Sequence, residues 1–270
     1  MEQTPDDYVA EIVAVFREVW RVLADDGTLW LNLGDSYAGG GRGGQSDAKR
    51  SANWQPTYSL QGNVPSGLKS KDLVGIPWRV AFALQSDGWF LRQDIIWHKP
   101  NPMPESVTDR CTKAHEYLFL LTNSARYYFD NDAIKEPSAN LGATNIRFGG
   151  NKYGDSDDPK HATKSGNTYV DSGKRNKRSV WTVNTKPFKG AHFAVMPEAL
   201  VEPCVLAGSK TGDTVLDPFA GSGTVGVVAL RHGRKFLGVE LNPEYADLAN
   251  NRITNNNPMF NTVTIERINP

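Results

Sequence analysis

The chain has 270 residues, enough for one large domain or for a domain carrying an insert. Its thirty basic and thirty acidic side chains cancel, which argues against a generic polycation and leaves any nucleic-acid contact to a local patch. Cys111 and Cys204 are the only cysteines and lack metal-ligand spacing, so neither a disulfide framework nor a metal site is expected, and a reducing cytoplasm is. Met1 leads directly into acidic, polar sequence, with no signal peptide or membrane span.

Thr4-Pro5-Asp6-Asp7 predicts a helix start, with threonine as cap, proline in the first turn and acids beside it. Tyr8, Ile12, Val15, Phe16, Val19, Val22 and Leu23 then share one helical face, and Asp25-Asp26-Gly27 stops the helix. Thr28 to Leu33 is a strand ending in Gly34-Asp35-Ser36-Tyr37. Residues 39–71 lack hydrophobic periodicity and read as a long mobile loop. The loop interleaves Arg42, Lys49, Arg50, Lys69 and Lys71 with Trp54 and Tyr58, a mixture suited to DNA contact; an ordinary solvated loop accounts for it almost as well.

Asp72 is expected to cap a helix through Pro77, Val80, Ala81, Ala83 and Leu84, which Gly88 ends. Trp89 to Trp97 and His115 to Leu121 are strands of an antiparallel hairpin, separated by the proline-rich stretch His98 to Pro104. Residues 138–179 are again polar and aperiodic, and Ala139 to Val180 carries eight basic residues against four acids. Its sharpest basic run is Lys174-Arg175-Asn176-Lys177-Arg178, whose natural use is phosphate neutralisation, with a solvated loop as the alternative. Glu198 to Leu206 is a helix.

Thr214-Val215-Leu216 is a short buried strand, followed by the small, glycine-rich Asp217-Pro-Phe-Ala-Gly-Ser-Gly-Thr224 and an apolar helix from Val225 to Leu230. Strand, glycine loop, helix is the geometry of a nucleotide-type site. Gly221 and Gly223 permit a tight turn and close approach of a ligand. A second strand, Lys235 to Val239, ends in Glu240, placed to accept hydrogen bonds from ribose hydroxyls. A glycine loop alone is often only a turn; the acid at the next strand tip moves the balance toward an adenosine-containing ligand. Neither G-x-G-x-x-G nor a P-loop is present. Asn242-Pro243 starts a helix through Ile253, and Val263-Thr264-Ile265 is a candidate last strand.

Asp217 to Thr224, with Gly238-Val-Glu-Leu-Asn-Pro-Glu-Tyr245, resembles the S-adenosylmethionine site of the DNA amino-methyltransferases, which methylate N4 of cytosine or N6 of adenine. The resemblance implies an α/β, Rossmann-like sheet with an antiparallel edge hairpin and polar DNA-contacting insertions. It implies that Asp217, Phe219, Gly221, Ser222, Gly223, Thr224, Glu240 and Asn242 bind S-adenosyl-L-methionine, with Phe193 and Pro197 as apolar contacts and Asp35 nearby. Trp97, Lys99 and Asn101 would line the target-base pocket, and Arg147, Lys174, Arg175, Lys177 and Arg178 would meet double-stranded DNA. His98 has no visible partner for general-base work, and a structural or DNA-contacting role fits it better. No metal ligands are expected.

The order of motifs matches the permuted arrangement in which the cofactor half is C-terminal. It divides the chain into a catalytic half at 1–137, a target-recognition insertion at 138–179 and a cofactor half at 180–270. In that arrangement an S-P-P-Y or D-P-P-Y loop precedes the first helix, yet no Pro-Pro occurs in the sequence. The expectation is an N-terminally truncated enzyme whose first central strand is missing and whose catalytic residues are therefore not named. Trp30 to Tyr37 and Tyr128 to Glu136 are closer in type to cytosine-N4 enzymes; adenine-N6 methylation and a non-catalytic cofactor- or DNA-binding fragment are the rivals. A bacterial or phage cytoplasm, and a cognate restriction endonuclease as partner, complete the expectation.

Overall fold

A computed structural model describes residues 4–39, 64, 67–138, 144–146, 169–170, 173–185, 195–256 and 263–266. Two compact units emerge: one of residues 1–129 and 179–270, the other of residues 130–178.

The larger unit starts with α1 (Pro5–Val22), whose capping box is complete: Thr4 Oγ1 accepts the Asp7 N–H at 3.1 Å while Asp7 Oδ2 accepts the Thr4 N–H at 3.1 Å. β1 (Thr28–Leu33), α2 (Ile76–Ser86), β2 (Phe90–His98) and β3 (His115–Thr122) follow. The smaller unit holds β4 (Glu136–Pro137), β5 (Thr144–Ile146), β6 (Tyr169–Val170) and β7 (Lys174–Arg175), paired antiparallel as β4 with β7 and β5 with β6. The chain returns to the larger unit through β8 (Val180–Thr182), α3 (Glu198–Gly208), β9 (Thr214–Asp217), α4 (Thr224–Arg231), β10 (Lys235–Gly238) and α5 (Pro243–Asn256).

One sheet runs β1-β3-β2-β8, with β3 antiparallel to both neighbours and β8 parallel to β2. The expected antiparallel hairpin is thus β2–β3, but within this sheet the edges are β1 and β8. The pleat sorts its side chains by alternation. Leu29, Leu31 and Leu33 of β1 join Tyr117, Phe119 and Leu121 of β3 against α1 and α2, where Phe16, Val80, Leu84 and Trp89 are buried. On the opposite face Trp30, Ile95, Trp97 and Leu118 pack with Trp181, Leu200 and Cys204. The sheet is therefore covered by helices on both faces, as an α/β layer requires.

β9 and β10 form a separate, parallel pair. Among the described residues no strand pairs with the second edge of β1 or of β9. None of the β9 side chains reaches the buried class, although Leu216 packs against the α1–α2 core.

Two local expectations need correction. Asp72 does not cap α2: its carboxylate accepts the Lys69 N–H at 2.8 Å in a preceding turn, and the helix begins at Ile76 after Gly75 in the left-handed region. Val263 to Ile265 forms no strand, since no neighbour pairs with it among the described residues.

Candidate active site

β9 delivers Asp217 to its carboxyl end, where Pro218 breaks the ladder and the chain turns through Phe219 to Gly223 into α4. Asp217 Oδ1 accepts the Phe219 N–H at 3.0 Å, which shapes the first bend. Burial holds the Asp217 carboxyl above the usual carboxylate range; the Phe219 N–H opposes that rise and the nearby charge of Glu240 adds to it.

The glycines serve different ends. Both take left-handed backbone, with φ of +51° at Gly221 and +73° at Gly223. At Gly221 the nearest atom to an added Cβ is the Phe219 carbonyl at 3.8 Å, so this face stays open. At Gly223 a Cβ would stand 2.9 Å from the Cβ of Ala249, so here the close approach is that of α5 and not of a ligand.

Glu240 lies just beyond β10. Its Oε2 accepts the Gly221 N–H at 2.8 Å and its Oε1 accepts the Asn242 N–H at 2.8 Å. The carboxylate is held by two backbone donors, and each oxygen keeps lone-pair capacity for a further hydroxyl. Asn242 in turn accepts the Glu244 N–H at 2.9 Å, capping the start of α5. Beside Glu240 runs a cleft of about 460 Å³ lined by Val15, Glu18, Val19, Arg21 and Val22 of α1, by Leu216, Pro218 and Phe219, and by Val239 and Leu241. A mainly apolar cleft with the fixed Glu240 carboxylate at its rim and the half-buried Asp217 nearby suits a nucleoside-like ligand. The open face at Gly221 leaves room for its polar chain, so the residues present fit S-adenosylmethionine.

Other residues singled out in the sequence have partners of their own. Asp35 Oδ1 accepts the N–H groups of Ser36 at 2.9 Å, Gly75 at 2.9 Å and Ile76 at 3.1 Å, and Lys113 Nζ stands 3.9 Å from Oδ2. Asp35 thus caps α2 from the end of β1. Trp97 is corrected from base contact to core: it is 4% exposed, and its indole N–H donates to the Val183 carbonyl at 2.8 Å. Lys99 lies over the Trp97 ring at 4.3 Å and pairs with Glu116, whose other oxygen accepts Asn32 Nδ2 at 3.2 Å. Asn101 exchanges two hydrogen bonds of 3.0 Å with the backbone of Thr185. Pro197 is buried at the start of α3. Phe193 and Arg147, and the aromatic and basic residues of the 40–63 stretch, lie outside the described residues.

In the smaller unit the basic run is partly neutralised. Glu136 Oε1 accepts Arg175 Nε at 2.9 Å and Arg178 Nε at 2.7 Å. The two guanidinium partners hold the Glu136 carboxyl below its usual range against the opposing effect of burial. Lys174 is exposed and Lys177 half-buried.

The family model for N6/N4 methyltransferases, described as DNA methylase, matches residues 1–251. The chain belongs to this family of DNA methylases. As a member it takes S-adenosylmethionine as its methyl donor. Among relatives, the type II methyltransferase M.Cfr9I of Citrobacter freundii is 49% identical over 253 residues, spanning 94% of this chain and 73% of that protein. The type II methyltransferase M.SmaI of Serratia marcescens is 49% identical over 252 residues, 93% of this chain and 76% of that protein. Two solved structures share the fold. The cytosine-N4-specific PvuII DNA methyltransferase has a TM-score of 0.60 at 17% identity and covers 91% of this chain and 70% of its own. A DNA modification methylase of Thermus thermophilus, TTHA0409, complexed with S-adenosyl-L-methionine, has a TM-score of 0.56 at 24% identity and covers 94% and 81%.

Sequence reasoning found the glycine loop and Glu240 but missed the cleft wall contributed by α1 and the contacts of Arg252, whose guanidinium reaches Ser222, Thr224 and Glu198. Arg252 stands with Ala249 and Ile253 at helical spacing, a cation beside an apolar face, and that was a legible signal.

Proposed function

We propose that the chain is a type II DNA methyltransferase that transfers a methyl group to the exocyclic N4 of cytosine in duplex DNA. The observation that carries the transfer reaction is the fixed Glu240–Gly221 contact beside the apolar cleft. The choice of cytosine rests on the strings Trp30-Leu-Asn-Leu-Gly-Asp-Ser-Tyr37 and Tyr128 to Glu136.

In this reading Glu240 receives the ribose hydroxyls, the cleft between α1 and Leu241 receives the adenine, and Asp217 and the Gly221 backbone face the methionine portion. When bound, S-adenosylmethionine supplies an electrophilic methyl group on a sulfonium. Asp217, ionised, favours that cation in its buried setting. The target cytosine leaves the stack, since its amine is out of reach inside a duplex. Lys174, Arg175, Lys177 and Arg178 act on phosphates and position the duplex. Lys99 and Asn101, at the end of β2, remain candidates for the surroundings of the base.

A second reading is favoured by the divided sheet. With β1 and β9 each unpaired along one edge among the described residues, and no Pro-Pro in the sequence, the chain would bind cofactor and DNA but need a strand carrying the amine-binding loop from another polypeptide.

The test is to incubate the protein with labelled S-adenosylmethionine and plasmid DNA, digest to nucleosides and identify the product by mass spectrometry. N4-methylcytosine supports the proposal, and N6-methyladenine alone overturns the choice of base. Cofactor binding without transfer, with transfer restored by a peptide containing Ser-Pro-Pro-Tyr in a strand context, establishes the second reading.

A further inference from the structure

We infer that Arg252, on the last helix and outside the ligand cleft, is a positioning residue that holds the glycine turn in register with the start of α3. The inference rests on the cofactor reading above. From α5, Arg252 Nη1 donates to Thr224 Oγ1 at 2.8 Å, to Ser222 Oγ at 3.1 Å and to the Ser222 carbonyl at 3.4 Å. These are residues of the turn whose other side bears the open face of Gly221. The second nitrogen, Nη2, donates to Glu198 Oε1 at 3.0 Å. Glu198 is the first residue of α3 and follows the buried Pro197, so one guanidinium spans the glycine loop and the α3 entry.

Several features make this more than a surface ion pair. The Arg252 side chain is only 17% exposed, and Thr224 is 5% exposed. Glu198 accepts a second guanidinium, Arg231 Nη2 at 2.8 Å, so its orientation is fixed from two helices. These two partners hold the Glu198 carboxyl below its usual range although burial pushes it up. The loop needs an outside support, because Gly223 at the N-cap of α4 brings no side-chain cap. A fork of N–H donors can hold the Ser222–Thr224 turn with Nη1 and Glu198 with Nη2 at once; an ammonium presents a single nitrogen and cannot reach both sides with that geometry. The contribution is geometric: the loop is held in its bound shape before the ligand arrives, which lowers the ordering cost of binding.

The experiment measures S-adenosylmethionine affinity by calorimetry, and amide hydrogen exchange of Gly221 to Thr224 without cofactor, in the wild-type chain, Arg252→Lys and Glu198→Gln. Arg252→Lys is expected to weaken binding about tenfold and to speed exchange in the loop, with a smaller change of the same sign in Glu198→Gln and a double variant no worse than Arg252→Lys alone. Wild-type affinity and wild-type exchange in Arg252→Lys overturn the inference. If Arg252→Lys does not fold, unchanged affinity and exchange in Glu198→Gln overturn it. If the wild-type chain binds no S-adenosylmethionine, the cofactor reading fails, and loop exchange in the variants still decides whether Arg252 supports the turn.

Discussion

Glu240 holds Gly221 before any ligand arrives: its Oε2 lies 2.8 Å from the Gly221 nitrogen, joining the tip of one strand to the glycine loop of the other. The same carboxylate is tied through Oε1 to Asn242. One acid thus supports the loop and, in the proposed reading, presents oxygen to a ribose. Glu240→Gln keeps the shape but turns one acceptor into a donor facing a backbone N–H. It is expected to lower cofactor affinity by about 10- to 100-fold, the range for losing a hydrogen bond to a charged group, measured by calorimetry. Unchanged affinity would separate Glu240 from the ribose.

Asp217 predicts a pH dependence with a defined sign. Its folded pKa is raised by burial and by Glu240, so the unfolded chain releases this proton first as pH rises. The resulting stability penalty is absent below the ordinary carboxylate range and complete above the raised folded value. Asp217→Asn is therefore expected to melt higher than wild type at neutral pH, without cofactor, and to lose that advantage in acid. Wild-type cofactor affinity should fall as pH drops through the raised value, while that of Asp217→Asn stays weak and flat. Thermal melts and binding titrations over the same pH series check both.

The two loop glycines should fail differently. Gly221→Ala puts a methyl group into open space at φ +51°, at a cost of about 1–2 kcal/mol for the left-handed backbone, and it crowds the ligand face. Gly223→Ala adds to a similar backbone cost a clash 2.9 Å from the Ala249 Cβ, and about 1–3 kcal/mol more is expected from overpacking. Urea denaturation should rank Gly223→Ala as the less stable, and calorimetry should show Gly221→Ala folded but poor at binding cofactor.

In the smaller unit, Lys174 and Lys177 stand outside the Glu136 pairs with Arg175 and Arg178. If they meet phosphates, Lys174→Ala and Lys177→Ala should each reduce the slope of log affinity against log salt by about 0.9, as read by fluorescence anisotropy on duplex DNA. Glu136→Gln should strengthen binding at low salt by releasing two guanidinium groups. An unchanged slope in both lysine variants would place DNA elsewhere.

What the sequence determined by itself is local. The capping box at Thr4 and Asp7, the apolar face of α1, and the glycine turn after β9 each depend on residues a few positions apart, and their periodicity and backbone freedom are written in adjacent letters. The glycine turn and the acid that follows β10 were legible for that reason. Tertiary structure alone decided where polar groups find partners far along the chain. Asp35 found its backbone partners at the start of a helix 40 residues away. Trp97 became core because Val183, 86 residues on, accepts its indole N–H. Arg252 acquired its role only when Glu198, 54 residues earlier, came beside it. Buried polar groups must be paired, and no spacing rule says which distant partner will satisfy them. Packing makes that choice.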